Sequence, residues 1–366
     1  MSKKLAAVLS LSALVLSAAA CGSSSDNAGP GSGGGAGSGG SAGTVWYSTK
    51  NSTEKVHVAM ADGVTRAAKE LGYDGQVVVA EADAAKQNDQ LNNLVANMQP
   101  KAMVVNPYDS DSVADVLKRA KDAKIPFAVV DNKANGVQAD VSVLFDSIKS
   151  GQAAGEKAVE ILKAKYGEPK GTVVNLYGEV VSQVFKERSK GFEDTIKKYP
   201  GIKLISVLGA PQADKATSAL NNVLADAKSS GTTIDLVNTP TDTATLGVIE
   251  SLKTNNLWKK VGETGHVAII SHDGLGDILK QVEAGYVDSE IVIDVYGVGG
   301  IATEVLNEYP LKGKPVPTSG SFTPRGKYLN KTVEFSSTDV GTTIMLAPTV
   351  VDAKTANNPL IWGNAS

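Results

Sequence analysis

The sequence predicts an α/β protein of two similar Rossmann-like lobes, each a parallel sheet flanked by helices, and two observations carry that prediction. From Thr44 onward, short β-branched runs alternate with longer helical patterns: "TVWYS", "QVVVAE", "AMVVN" and "FAVVD", then "TVVNLY", "KLISVL", "IDLVN", "VAIISHD" and "EIVIDV". Such alternation marks βαβ units, whose strands are covered on both faces and read as near-continuous apolar runs. The second observation is an internal echo. "LNNLVAN" (Leu91–Asn97) leads into "MVVN", and 129 residues later "LNNVLAD" (Leu220–Asp226) leads into "DLVN". One helix-to-strand step at the same place in two successive series implies two lobes of one design.

The elements before the first strand are of another kind. Met1-Ser-Lys-Lys is a short positive start, and Leu5 to Ala20 is an uninterrupted 16-residue run of Leu, Val, Ala and Ser. This is the layout of a secretory signal, and it is shorter than the ~20 residues a spanning helix needs. Cys21, the only cysteine of the chain, follows directly after three alanines. That position resembles the lipobox of bacterial lipoproteins, in which the cysteine is lipidated and becomes the new N-terminus; Ala18 stands where that motif more often has Leu. Ordinary cleavage near "AAA" and a buried, inert cysteine are the alternatives. Residues 22–43 are rich in Gly and Ser, with almost no apolar surface to offset ordering entropy. Such a coil has a reach of about 25 Å and serves as a tether. Its Gly39-Gly-Ser-Ala-Gly43 matches the nucleophile-elbow pattern formally, but has neither the strand before it nor the helix after it that the elbow requires.

The body that follows is long enough for two ordinary domains with real cores. Its first helix is written by Val56, Ala59, Met60, Gly63, Val64, Ala67, Ala68 and Leu71, one apolar stripe at i, i+3, i+4 spacing, closed by Gly72. A net charge of −3 gives no basic field for nucleic acid, and a lone cysteine excludes a disulfide framework. Ligands of parallel α/β sheets bind outside the carboxyl ends of the strands, so residues at those ends are the candidates.

Four stretches around those ends, "ADGVTRAAKELGYD", "VVNPYDSDSVADVLKRAKDAKIPFAVVDN", "ERSKGFEDTIKKYPGIK" and "SHDGLGDILKQVEAGYV", resemble the solute-binding proteins of ABC sugar importers, the ribose-binding-like group. The resemblance runs from about Val45 to Leu306. It implies the type I periplasmic binding protein fold, two lobes joined by a three-segment hinge, with crossings near Phe145–Ser150, Ile293–Val295 and Ala347–Val350. Residues 44–146 plus 294–348 then form the N-terminal lobe, and 147–293 plus 349–366 the C-terminal one. The resemblance also implies a sugar or polyol as ligand, a membrane permease as partner, no cofactor and no metal, and a monomer tethered at the outer face of the membrane.

Three positions match the family's sugar contacts: Asp131 at the end of "FAVVD", Arg188 in "ERSKGF" and Asp273 in "SHDG". The chemistry suits neighbouring hydroxyls, because a carboxylate accepts from them and a guanidinium donates a fixed fork. Elsewhere the chain departs from the family. Val56 and His57 stand in the aromatic positions of the first loop, Asn132 replaces an Arg, Ala213 a second aromatic, Thr241 an Asn and Ile293 a Gln or Asn. Substitute contacts are expected from Asn51, His57, Asn132, Tyr177 or Phe185, and the particular sugar is not carried over.

The rival readings are a secreted α/β hydrolase, a receptor for a small polar non-sugar ligand, and a sugar-responsive repressor. The three histidines, His57, His266 and His272, include no H-E-x-x-H pair, and His266 is expected at the surface. His272 and Asp273 are adjacent in a strand and face opposite ways, against a catalytic pair. No phosphate loop occurs, "YGVGGIA" lacks the full dinucleotide fingerprint, and a flexible tract stands where a repressor carries its DNA-reading helices. The stretch from Val316 to Thr342 is longer than the family pattern leads one to expect.

Overall fold

A computed structural model describes residues 41–178, 182–209 and 211–365, so the signal-like run and Cys21 lie outside the described residues. The first half-series runs β1 (Thr44–Thr49), α1 (Lys55–Glu70), β2 (Asp74–Val79), α2 (Ala84–Asn93), β3 (Ala102–Val105), α3 (Ala114–Asp122), β4 (Phe127–Val130) and β5 (Val141–Phe145). The second runs α4 (Ser147–Tyr166), β6 (Gly171–Tyr177), α5 (Gln183–Ile196), β7 (Ile202–Leu208), α6 (Ala213–Ser230), β8 (Leu236–Asn238), α7 (Asp242–Thr254), β9 (Ala268–Asp273), α8 (Gly276–Glu283) and β10 (Ser289–Val292). The chain then forms α9 (Val295–Glu308), β11 (Gly320–Phe322), β12 (Val333–Thr338), β13 (Gly341–Leu346) and β14 (Thr349–Val351).

Among the described residues these strands make two sheets, ordered β11-β12-β13-β5-β4-β3-β1-β2 and β14-β10-β9-β8-β6-β7. Pairing is parallel except along β11/β12/β13 and between β10 and β14. The central strands β3, β4, β5 and β10 are buried at every position, as strands covered by helices on both faces must be. β2 and β7, at the sheet edges, alternate or are half exposed. The two echoed helices do the same work: Leu91 of α2 and Leu220 of α6 are both fully buried. Gly72, past the end of α1, has φ +86°, the left-handed turn that glycine adopts without strain.

The chain passes from one sheet to the other after β5, after β10 and between β13 and β14. Asp146, in the first passage, donates its N–H to the Leu346 carbonyl at 3.0 Å. The other two passages are joined by Asn330. Its N–H and Nδ2 donate to Asp294 Oδ2 at 2.8 and 3.2 Å, and its Oδ1 accepts the Ala347 N–H at 3.1 Å. The long stretch from Val316 to Thr342 therefore has a place: it widens the first sheet by two antiparallel strands and clasps two of the three connections. Buried Glu304 of α9 anchors its start, accepting from Arg325 N–H, Gly326 N–H and the Tyr328 hydroxyl at 2.6, 3.0 and 3.0 Å.

One helix pair fixes a functional side chain directly. Gly151 and Gly155 of α4 lie against α5, and a Cβ at Gly151 would strike the Arg188 carbonyl. Close approach of the two backbones sets the position of Arg188.

Candidate functional site

Each sheet brings a carboxylate and a cation to the carboxyl ends of its strands. In the first, Asp131 follows β4 with φ +62°, a left-handed conformation that an Asp tolerates and that ends the strand abruptly. Lys50, directly after β1, places its ammonium 2.8 Å from Asp131 Oδ2, and Asn106, directly after β3, donates Nδ2 to the same oxygen at 3.2 Å. Both bonds fall on Oδ2, which leaves Oδ1 free to accept from a ligand. Burial pushes the Asp131 carboxyl up, but the Lys50 ammonium, with the hydrogen bonds from Lys50 and Asn106, outweighs it and holds the group below its ordinary value. It is a firm carboxylate.

In the second sheet, Asp273 ends β9 with φ +108°, and its Oδ1 accepts from Arg188 Nη1 at 3.1 Å. The same Nη1 donates to the Pro240 carbonyl at 2.5 Å. Arg188 is 5% exposed, so it is not a solvated helix residue. Burial raises the Asp273 carboxyl, Arg188 opposes this, and Asp131 and Glu54 raise it further. Asp273 thus feels charges that belong to the other sheet, so the two strand-end clusters lie within electrostatic reach of one another. From behind, the Trp362 indole Nε1–H donates to the Asp273 carbonyl at 2.8 Å.

Several polar atoms here are buried without a protein partner: Arg188 Nε, Asn238 Oδ1 and His57 Nδ1. Orphaned buried donors and acceptors are rare and expensive, so their concentration at these strand ends marks where a polar ligand or water completes the structure. His57, in the first turn of α1, is buried; burial and the Lys50 ammonium lower its pKa, keeping the imidazole neutral.

The remaining expected contacts are placed otherwise. Asn51 spends its side chain on the loop before α1, Oδ1 accepting from the N–H groups of Thr53 and Glu54 at 3.2 and 2.9 Å. Asn132 donates Nδ2 to the Pro107 carbonyl at 3.1 Å. Tyr177 and Phe185, by contrast, line a small pocket together with Arg188, Asn238 and Pro240, and they also border a groove of about 370 Å³ shared with Lys186, Ser189 and Glu193. Thr241 caps α7, accepting the Ala244 N–H at 3.2 Å.

His266 corrects the surface expectation. Its ring is mostly covered and lies 2.8 Å from the Lys259 carbonyl and 3.0 Å from Asp288 Oδ2, because the loop before β9 folds over it. His272 is fully buried, with Nδ1 2.8 Å from the Thr239 carbonyl; a carbonyl only accepts, so Nδ1 carries the proton. Burial and Arg188 hold it well below its ordinary pKa.

Sequence reasoning missed Lys50, Asn106 and Gln87. Asn106 ends "AMVVN" as Asp131 ends "FAVVD", a signal that was available. Buried Gln87 braces both strand ends, donating Nε2 to Ser48 Oγ and the Asn106 carbonyl at 3.0 and 2.9 Å. Neither Lys50 nor Gln87 carries a local signal, since each sits in an ordinary polar stretch.

Comparison with known proteins agrees with this geometry: the periplasmic binding protein domain family matches residues 45–315. The chain belongs to that family. Periplasmic binding proteins bind solutes, and curated relatives bear this out by name. The ribose import binding protein of Salmonella typhimurium is 26% identical over 259 residues, covering 71% of this chain and 81% of that one. The D-apiose import binding protein of Actinobacillus succinogenes is 30% identical over 229 residues, covering 62% and 68%. Among solved structures, an ABC transporter solute-binding protein of Bacillus halodurans with bound myo-inositol superposes with a TM-score of 0.68 at 20% identity, covering 88% of this chain and 99% of that one. One from Actinobacillus succinogenes with bound D-allose gives 0.69 at 19% identity, covering 86% and 99%. These likenesses show the type I periplasmic binding protein fold.

Proposed function

We propose that this periplasmic binding protein is the extracytoplasmic receptor of an ABC importer, capturing a sugar or polyol between its two sheets and delivering it to a membrane permease. One observation carries the reading. Asp131 and Asp273 each give one carboxylate oxygen to a cation of their own sheet and keep the other, so both enter binding already oriented and short of a donor. Vicinal hydroxyls supply such donors. Arg188 Nε and the acceptor His57 Nδ1 complete a ring able to donate to and accept from one polyol.

Contacts from both sheets favour the closed arrangement by their difference in affinity between open and closed states. In this reading Asp131, Arg188 and Asp273 hold the ligand, His57 borders it, and Asn51 and Asn132 shape the first loops. The receptor acts as a monomer without catalysis, held at the outer face of the membrane by lipid on Cys21, with residues 22–43 as its tether.

Calorimetry with D-ribose, D-apiose, myo-inositol and D-allose tests the reading, with binding of at least one at micromolar affinity expected. Folded protein that gives no heat and no melting shift with any sugar or polyol would sink it. The anchor is tested separately: Cys21→Ser should move the protein from washed membranes to the soluble fraction, and its retention there would exclude lipidation.

A further inference from the structure

Beneath the Asp273 loop, two buried carboxyl groups meet on one backbone N–H. Asp242, the first residue of α7, is 4% exposed and Glu290, on β10, is fully buried. The Gly274 N–H donates to Asp242 Oδ2 at 2.9 Å and to Glu290 Oε1 at 3.0 Å. Asp242 accepts further from the Leu275 N–H at 2.6 Å and from Ser271 Oγ at 2.8 Å. Glu290 Oε2 has no partner as an acceptor. Two oxygens that share one hydrogen lie close together, and two full charges so placed, away from water, repel strongly. A proton on Glu290 Oε2 removes the repulsion and turns the orphaned oxygen into a donor facing a carboxylate.

We propose that Asp242 and Glu290 share one proton, Glu290 Oε2–H donating to the Asp242 carboxylate, and that the pair positions Asp273 for ligand binding. The N–H groups it grips are those of the two residues after Asp273. Gly274 has φ +104°, and a Cβ there would press on Trp362 Nε1 and Val292, both at 3.1 Å. The loop is thus pinned between the carboxyl pair on one side and the Trp362 bond to the Asp273 carbonyl on the other.

The charges facing the pair are few. Asp273 of β9 stands above it and Arg188 of α5 acts through Asp273. Asp277 and Lys280 of α8 are solvent-exposed, and β14 sets Val351 opposite Glu290. No cation among the described residues neutralises a second charge there, so burial, with Asp242 beside it, drives Glu290 well above the ordinary carboxyl range. As pH rises and the proton leaves, the two carboxylates repel across the Gly274 N–H they share, and the loop that positions Asp273 is strained. Affinity falls with rising pH.

The proposal rests on the sugar-receptor reading for its binding arm only, and two measurements on the free protein keep it separate. The infrared carbonyl band of a protonated carboxyl, taken as wild type minus Glu290→Gln, should be present at pH 7 and fade toward pH 9. The Trp362 indole N–H resonance should move over the same range in wild type and stay still in Glu290→Gln, whose amide donates without titrating. With whichever of D-ribose, myo-inositol or D-allose binds, wild type should lose about tenfold in affinity between pH 6 and 9, a change of ~1.4 kcal/mol. Glu290→Gln should match wild type at pH 6 and remain flat, while Glu290→Ala should be weak at both. Absence of the difference band at pH 7, a static Trp362 resonance in wild type, or an unchanged pH fall in Glu290→Gln overturns the proposal. If no sugar binds, the receptor reading fails, and the band and resonance still decide the proton sharing and its grip on the loop.

Discussion

Arg188 and Asp273 meet through a single guanidinium nitrogen, Nη1, which also donates to the Pro240 carbonyl. The rest of the fork is left over: Nε is buried without a partner. Removing one member of a buried, charge-assisted pair strands the other, a loss of roughly 2–5 kcal/mol. Asp131→Ala, Arg188→Ala and Asp273→Ala should each weaken ligand binding by about 30-fold or more, from ~1.4 kcal/mol per factor of ten. His57→Ala should cost less, because the neutral imidazole offers one acceptor. Calorimetry on variants whose melting shows them folded decides the ranking.

Lys50 is expected to matter through Asp131. With Lys50→Met the carboxylate keeps its burial but loses its nearest cation, so its pKa rises from below the ordinary value. Ligand affinity should drop about tenfold at pH 7, ~1.4 kcal/mol, and further at pH 5, where part of Asp131 takes up a proton. An equal loss at both pH values would show that Lys50 acts as a direct contact only.

Asn330 clasps two of the three connections between the sheets. Asn330→Ala should lower the melting temperature by several degrees, for a loss of ~1–3 kcal/mol. It should also enlarge the free protein's radius of gyration in small-angle scattering. A stability loss with an unchanged radius would mean the clasp holds the added strands and has no influence on closure.

His272 sets an acid limit. Its folded pKa is lowered by burial, so below the unfolded value near ~6.5 the unfolded chain binds a proton that the native chain refuses. The stability this group allows is therefore present above that pH and is lost as pH falls through it. Between pH 7.5 and 5 the melting temperature of wild type should drop more than that of His272→Asn, and parallel melting curves would refute the assignment.

How legible all this was in the sequence depended on the range of the information. Asp131 and Asp273 were readable because each ends an apolar run, and parallel strands present their carboxyl ends to ligands. Arg188 was readable through its resemblance to a family contact, while its burial comes from the glycine contact of α4 with α5. Glu290 was not readable as a buried acid. In "EIVIDV" it looks like the outward position of a strand, and what covers it is β14, some sixty residues later, with α7 and the Asp273 loop. Lys50 was hidden for a related reason: a lysine in a polar loop is normally solvated, and only the left-handed turn at Asp131 brings a carboxylate to it.

Trp362 stands on the last helical turn among the described residues, yet its indole is bonded to the carbonyl of a residue in the proposed ligand ring. It is one of three tryptophans, beside Trp46 and Trp258. The molecule therefore carries its own fluorophore one hydrogen bond away from the site, so occupancy is observable as a change in intrinsic emission without any label. The same bond means that a bulky insertion directly after Trp362 would pull on the loop that carries Asp273.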